Sequence, residues 1–271
     1  MKVVFYNGAF ITEKDFSISS NSRSFNYGDG FFETIKIINS KPFNFSCHFE
    51  RIKLGLSVLK LSDKYTSIFF QEQISQLLKL NKMINGSIKI HISRSGAGRY
   101  LPKSNQSDLF ICSIDGLGYQ HNNAISLCFY DKQCKALGSL SNIKSVNSLV
   151  SVLGSIHANE RNFDNAILLN TSGNIIEATN ANIFIVKDEK IYTPSLSDGC
   201  VDGTMRKWLS KEITFIEKSI FSNEILDADE VFITNSTSGI TSVKSIENTS
   251  FYCFNTANFI QQQLINSSLD F

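Results

Sequence analysis

Apolar and polar positions change their period several times along the chain, and each change marks an element. Val3–Tyr6 and Ala9–Thr12 are short apolar-rich runs on either side of Asn7-Gly8, a pair that favours the tight turn of a β-hairpin. Phe31–Ile38 and Pro42–Phe45 flank Asn39-Ser40-Lys41 in the same way, and Thr34, Ile35, Ile37 and Ile38 are strong strand formers. The period then lengthens. From His48 to Leu61, the residues Ile52, Leu54, Leu56, Leu59 and Leu61 recur at mixed helical spacings. Over Ile68–Leu80, the residues Phe70, Ile74, Leu77 and Leu78 fall on one buried helix face. Ser87–Ser93 and Leu109–Ile114 return to strand texture.

A polar, glycine-bearing stretch from Asp115 to Asn123 follows and predicts a linker. Beyond it Ala124–Tyr130 is an apolar strand, and Asn147–Asn162 is the clearest helix. Leu149, Val152, Leu153 and Ile156 form a stripe on that helix at i, i+3, i+4 and i+7. Two hairpins come next: Ala166–Leu169 with Asn174–Thr179, and Ile183–Val186 with Ile191–Tyr192, turned at Lys187–Lys190. A strand over Val231–Ile233, a helix from Thr204 and a last helix around Ala257–Ile265 complete an α+β pattern. The predicted division is a small α/β lobe over 1–116, a linker over 117–123 and a larger lobe over 124–271.

Composition narrows the classes of function. The 26 Lys+Arg against 25 Asp+Glu leave a formal charge of +1, which argues against a nucleic-acid binder held by bulk charge. No apolar run approaches the roughly 20 residues that span a bilayer, and the apolar run at the N-terminus is too short for a secretory signal. Six cysteines at 47, 112, 128, 134, 200 and 253 contain no Cys-x-x-Cys, and four histidines at 48, 91, 121 and 157 lack metal-ligand spacing. A reducing, cytoplasmic setting without a metal centre is the expectation.

Chemistry-bearing residues are scattered. Lys144 stands between Ile143 and Val146 at the entry to the strong helix, where partial desolvation favours a neutral, nucleophilic amine. Glu177 interrupts the apolar run Ile175–Thr179; it either faces solvent or, if buried, needs a cation. Gly203-Thr204-Met205-Arg206 opens a helix and offers backbone N–H groups to a phosphate, and Ser236-Thr237-Ser238-Gly239 supplies hydroxyl and amide donors after a strand. Arg51, early in a helix, suits a dianion. Arg94-Ser95-Gly96-Ala97-Gly98-Arg99-Tyr100 is a loop with two guanidinium groups, either a substrate-carboxylate site or simply a basic loop. Gly28-Asp29-Gly30 lacks the third glycine of a dinucleotide fingerprint.

Singly these features are commonplace, but their order is not. The series runs from Arg23–Thr34 through His48-Phe49-Glu50-Arg51, Ile92–Gly96, Lys144–Asn147, Glu177–Phe184, Tyr192-Thr193-Pro194, Gly203–Arg206 and Asp229–Ser236. In this order it resembles the fold-type IV pyridoxal 5′-phosphate enzymes, the class IV aminotransferase family. The resemblance implies a two-lobed fold like that of D-amino-acid aminotransferases, with the cofactor lysine in the larger lobe, and a homodimer. It implies that Lys144 carries the cofactor and shuttles a proton, and that Glu177 pairs with the pyridine nitrogen. Arg51, the amides of Thr204 and Met205, and the hydroxyl of Ser236 would take the phosphate, with Thr237 adding a contact. Phe32 stands where D-amino-acid aminotransferases place a tyrosine beside the substrate, and Arg99, with Arg94, would hold a substrate carboxylate. Met205 before Arg206, and Thr234-Asn235-Ser236, resemble the 4-amino-4-deoxychorismate lyases of folate synthesis. Ile143–Asn147 and Ser236-Thr237-Ser238 also resemble the D-amino-acid aminotransferases, which stay as the alternative together with the branched-chain enzymes.

Overall fold

The computed structural model describes residues 1–269. The chain forms two compact units, Met1–Gly118 with Ile143–Asn147, and Tyr119–Asn142 with Ser148–Leu269. This departs from the division expected at residues 117–123. Ile143–Asn147, with its lysine, belongs to the first unit, because it lies antiparallel to the start of a strand there. No described helix is long and apolar enough to cross a membrane.

The first unit contains β1 (Val3–Tyr6), β2 (Ala9–Thr12), α1 (Arg23–Tyr27), β3 (Gly30–Ile38), β4 (Lys41–Pro42), α2 (Phe45–Val58), α3 (Ser67–Asn81), β5 (Gly86–Arg94) and β6 (Ser107–Asp115). The strands form an antiparallel sheet in the order β2-β1-β6-β5-β3-β4. The second strand of the Asn39–Lys41 hairpin is shorter than its pattern suggested. After the Phe43 N–H donates to the Lys36 carbonyl at 2.8 Å, Asn44 turns the chain at φ 53°, and Phe45 already begins α2. Helix α3 follows its apolar period closely. The Thr66 hydroxyl caps it by accepting from the Phe69 N–H at 3.1 Å, and Phe70, Ile74, Leu77 and Leu78 are all buried in the core with Ile35, Ile52, Ile88 and Ile111.

The second unit contains β7 (Ile125–Lys135), α4 (Leu149–Glu160), β8 (Asn165–Asn170), β9 (Ile175–Ala178), β10 (Asn182–Lys187), β11 (Lys190–Pro194), α5 (Thr204–Glu212), β12 (Ile216–Lys218), α6 (Ser222–Leu226), β13 (Glu230–Asn235), β14 (Gly239–Ile246), β15 (Thr249–Ser250) and α7 (Asn255–Leu269). The strand path runs β12-β11-β10-β13-β14-β7-β8-β9, with β15 beside β14. It curls until its ends meet: the Ile175 N–H of β9 donates to the Ile220 carbonyl just past β12, at 2.8 Å. Along β8, Ile167 joins one apolar cluster with Ile183, Val231 and Val243, while Ala166 and Leu168 join another with Cys128, Ile176 and Ala158. Both faces are covered, so the strand reads as a continuous apolar run. The turn between β10 and β11 is made by Asp188 and Glu189, at φ 48° and 61°, as a tight hairpin requires.

Helix α4 corrects a natural inference from periodicity. Its stripe is turned outward: Leu149 is 74% exposed and Val152, Leu153 and Ile156 about half. The face that packs is made of Gly154 and Ala158. A Cβ at Gly154 would stand 3.0 Å from Thr179 and 3.1 Å from Leu168, so the small residues are what let the helix close on β8.

The core of the first unit generates a stability prediction. Ile74→Ala should lower the free energy of unfolding by about 2–5 kcal/mol, whereas Ile68→Ala, on the exposed side of α3, should stay within about 0.5 kcal/mol. Urea unfolding of both variants checks the assignment of the buried face.

Candidate active site

Within the first unit the backbone around Lys144 is held as if it were a further strand. The Phe32 N–H donates to the Lys144 carbonyl at 3.0 Å, the Val146 N–H donates to the Gly30 carbonyl at 3.2 Å, and Phe31 pairs with Ser145 as an antiparallel bridge. The Asn147 side-chain amide donates to the Gly28 carbonyl at 2.9 Å. From this fixed base the half-buried Lys144 side chain places its Nζ 4.7 Å from the centre of the Phe32 ring, and Lys89 Nζ approaches the same ring at 5.0 Å. The amine therefore sits against an aromatic face that carries no hydroxyl.

Glu33, the next residue along β3, points the opposite way, toward α2. There it is fully buried and receives Arg51 Nε at 2.6 Å, Arg51 Nη2 at 2.7 Å and His48 Nδ1 at 2.6 Å. Burial alone would raise the Glu33 carboxyl. The charge and hydrogen bonds of Arg51, with those of His48, overcome burial and hold it at about 2. Burial pushes His48 down from its ordinary value against the opposing pull of Glu33, and the charges of Arg51 and Lys144 add to that push.

The two loop arginines differ. Arg94 is buried, and all three of its guanidinium nitrogens are bonded within the unit: Nε to Asp29 at 2.9 Å, Nη1 to Asn105 at 2.9 Å and Nη2 to the Leu59 carbonyl. Arg94 ties the end of β5 to the neighbouring loops, which leaves the expected substrate-carboxylate role to Arg99, whose side chain is exposed.

Within the second unit Glu177 is buried, as its apolar neighbours suggested, and it is not the solvent-facing carboxylate that strand alternation allowed. Its Oε1 accepts from Lys135 Nζ at 2.7 Å and its Oε2 from the Val201 N–H at 2.8 Å. Lys135 was not singled out from sequence. It lies far from Glu177 along the chain, and only the pairing of β7 and β9 with β8 brings the two together.

Thr204 and Met205, both buried, are the first residues of α5. Gly203 caps the helix without a side-chain bond, and a Cβ there would fall 1.8 Å from Asn182 Oδ1, so only glycine fits. Asn182 donates to the Val201 carbonyl at 2.8 Å, and opposite it across the β10–β13 ladder stands Thr234. Thr234 is 1% exposed, and its Oγ1 has no hydrogen-bond partner among the described residues. Asn235 then ties the following loop: its Oδ1 accepts from the Thr237 N–H and hydroxyl and from the Ser238 N–H, at 3.0, 2.9 and 2.9 Å. The Ser236 carbonyl accepts from the Tyr119 hydroxyl at 2.8 Å. No acidic residue lies in the first turn of α5, and the preceding Asp202 is paired with Lys207 at 3.0 Å. A glycine-capped helix start beside the threonine and serine hydroxyls is a donor set that fits a phosphate ester. Arg206 of the same motif instead pairs with Glu217 at 2.8 Å and lies over Phe215.

Residues 30–246 match the family model for amino-transferase class IV. The chain belongs to the class IV aminotransferase family. The chain is 32% identical to an aminodeoxychorismate lyase of Vibrio harveyi over 235 residues, covering 83% of this chain and 85% of that one. It is 29% identical to a D-alanine aminotransferase of Staphylococcus haemolyticus over 261 residues, covering 91% and 90%. Its fold is that of the T.th. branched-chain amino acid aminotransferase with pyridoxamine 5′-phosphate, at a TM-score of 0.88 and 19% identity, covering 98% and 94%. This class IV chain thus has relatives of two reaction types at similar identity.

Both buried groups of the Glu33 cluster make acid destabilising. Each has its folded-state pKa below the unfolded value, so its stabilisation is full above the unfolded value and fades as pH falls. Stability should decline first as pH drops below about 6.5, through His48, and again from about 4.5 toward 2, through Glu33. In Glu33→Gln the lower limb should flatten, and stability at pH 7 should fall by about 3–5 kcal/mol. Urea midpoints measured across pH for both proteins provide the check.

Proposed function

We propose that the chain is a pyridoxal 5′-phosphate-dependent 4-amino-4-deoxychorismate lyase, which releases pyruvate and 4-aminobenzoate for folate synthesis in the cytoplasm. The observation that carries this reading is the Phe32 ring against Lys144 Nζ. A hydroxyl beside the amine would serve an amino acid's carboxylate, whereas a bare aromatic face suits a ring substrate. The identity to the Vibrio harveyi lyase supports it.

When bound, pyridoxal 5′-phosphate supplies an aldehyde that captures amines and a ring that accepts electrons from the adjacent carbon. Lys144 Nζ would hold that aldehyde, and the same amine would take the proton from the amine-bearing carbon of the substrate. Glu177 would pair with the ring nitrogen. Arg51, the Thr204 and Met205 amides and the Ser236 hydroxyl would hold the phosphate, with a contact from Thr237, and Arg99 would receive a substrate carboxylate. Loss of the proton and cleavage of the C–O bond to the enolpyruvyl group leave an aromatic ring, and the departing enolate takes up a proton to become pyruvate. No amino acceptor is consumed.

The second reading is a class IV aminotransferase acting on D- or branched-chain amino acids with a 2-keto acid acceptor. The identity to the D-alanine aminotransferase over nine-tenths of the chain favours it. The purified, cofactor-loaded chain should release pyruvate and 4-aminobenzoate in equal amounts from 4-amino-4-deoxychorismate alone. Lys144→Ala should lower that rate by roughly a thousandfold or more. Silence with this substrate, together with amino transfer from an amino acid to a 2-keto acid, would place the chain with the aminotransferases.

The outward stripe of α4 supports a homodimer. From Leu149 to Asn159 the helix carries no Asp, Glu, Lys or Arg, so a second copy can cover Leu149, Val152, Leu153 and Ile156 without burying such a charge. In sedimentation the wild type should run as a dimer and Leu153→Glu as a monomer. A dimer unchanged by that substitution would move the interface elsewhere.

A further inference from the structure

The second unit contains an ion pair whose half-buried cation, Lys135, has no role in the family motifs. Lys135, at the end of β7, and Glu177, on β9, lie on strands either side of β8. Lys135 reaches the level of Asn170 only because the β7–β8 register shifts between Tyr130 and Lys135. Its Nζ donates to Glu177 Oε1 at 2.7 Å and to the Ser141 carbonyl at 3.0 Å, while the Val201 N–H holds Glu177 Oε2 at 2.8 Å. Two fixed donors thus set the plane of the carboxylate. A carboxylate offers about four acceptor positions, so two bonds leave room for a third donor. The nearby Cys200 thiol is pushed up to about 12 by burial and then by the charge of Glu177, so it stays protonated beside the carboxylate.

Resting on the proposed role of Glu177 at the cofactor ring, we propose that Lys135 is the positioning residue that holds the Glu177 carboxylate oriented toward the ring nitrogen. Without the Lys135 bond, the Val201 N–H alone would set the direction of the carboxylate. Lys135 acts through Glu177 and touches neither substrate nor cofactor in this assignment.

Binding measured without turnover tests this. The cofactor-free chain is titrated calorimetrically with pyridoxine 5′-phosphate, which has no aldehyde, and with its analogue bearing CH in place of the ring nitrogen. The wild type should prefer the nitrogen-containing ring by about 10- to 100-fold, the span of a hydrogen bond to a charged group. Lys135→Met should shrink that preference to about threefold or less, and Lys135→Arg should restore most of it. Lys135→Gln, which keeps a polar group but no charge, should behave as Lys135→Met and carries the test if the methionine variant does not fold. A purely structural lysine would weaken both ligands equally. Full preference in a folded Lys135→Met or Lys135→Gln variant would overturn the proposal while leaving Glu177 at the ring. A wild type with no preference at all would instead remove Glu177 from the ring nitrogen, and the proposal with it.

Discussion

A carboxylate taken out of water has to be met by a cation or by hydrogen-bond donors, and each unit of this chain contains one that is met by a cation. In the first, Glu33 is gripped by Arg51 and His48 from α2, which locks that helix onto β3 and fixes the guanidinium given the phosphate role. In the second, Glu177 is met by Lys135 from two strands away and by the Val201 amide that leads into α5. The charges are not ornaments on a finished scaffold. Removing the cation leaves the buried carboxylate in a medium that solvates it poorly, at a cost of several kcal/mol, so the packing of α2 on β3 and the pairing around β8 are tied to these two carboxylates.

Position and chemistry are divided differently around the reactive amine. The backbone on either side of Lys144 is held by hydrogen bonds, Phe32 N–H to the Lys144 carbonyl and Val146 N–H to the Gly30 carbonyl, while its Nζ lies over the face of the Phe32 ring. A fixed base under a long side chain suits the proposed amine, which would first hold a group and later move a proton. The lyase and the aminotransferases both require that first half of the chemistry. Separation of the reactions would therefore fall to what surrounds the substrate rather than to the lysine, and in the proposed reading Phe32, whose ring lies 4.7 Å from Lys144 Nζ, is one such group.

Much of this was legible along the chain. Helix α3 was readable because its apolar period and its packing coincide, and the hairpins because Asn-Gly and Lys-Asp-Glu-Lys have few other uses. The stripe on α4 misled because periodicity reports that one face is apolar, not what covers it. Gly154 and Ala158, small enough to let the helix close, were the residues that decided its orientation. The short strand β12 and helix α6 left too few residues to build a period. Among site residues, Lys144, Glu177 and the start of α5 were visible through their motifs. Lys135 was invisible because its meaning depends on a register shift between two strands, and Arg94 looked like a ligand arginine because its partners, Asp29, Asn105 and the Leu59 carbonyl, come from three separate stretches of sequence.

The return of residues 143–147 to the first unit has a consequence for the order in which the protein can be made. When the ribosome has delivered residue 118, the first unit still lacks the segment that pairs with Gly30 and Phe32. It must wait while residues 119–142, which belong to the other unit, are synthesised. A fragment ending at the apparent boundary would therefore carry an unfinished sheet margin and lack Lys144. The first unit gains this lysine and the pairing that completes its sheet margin in the same event.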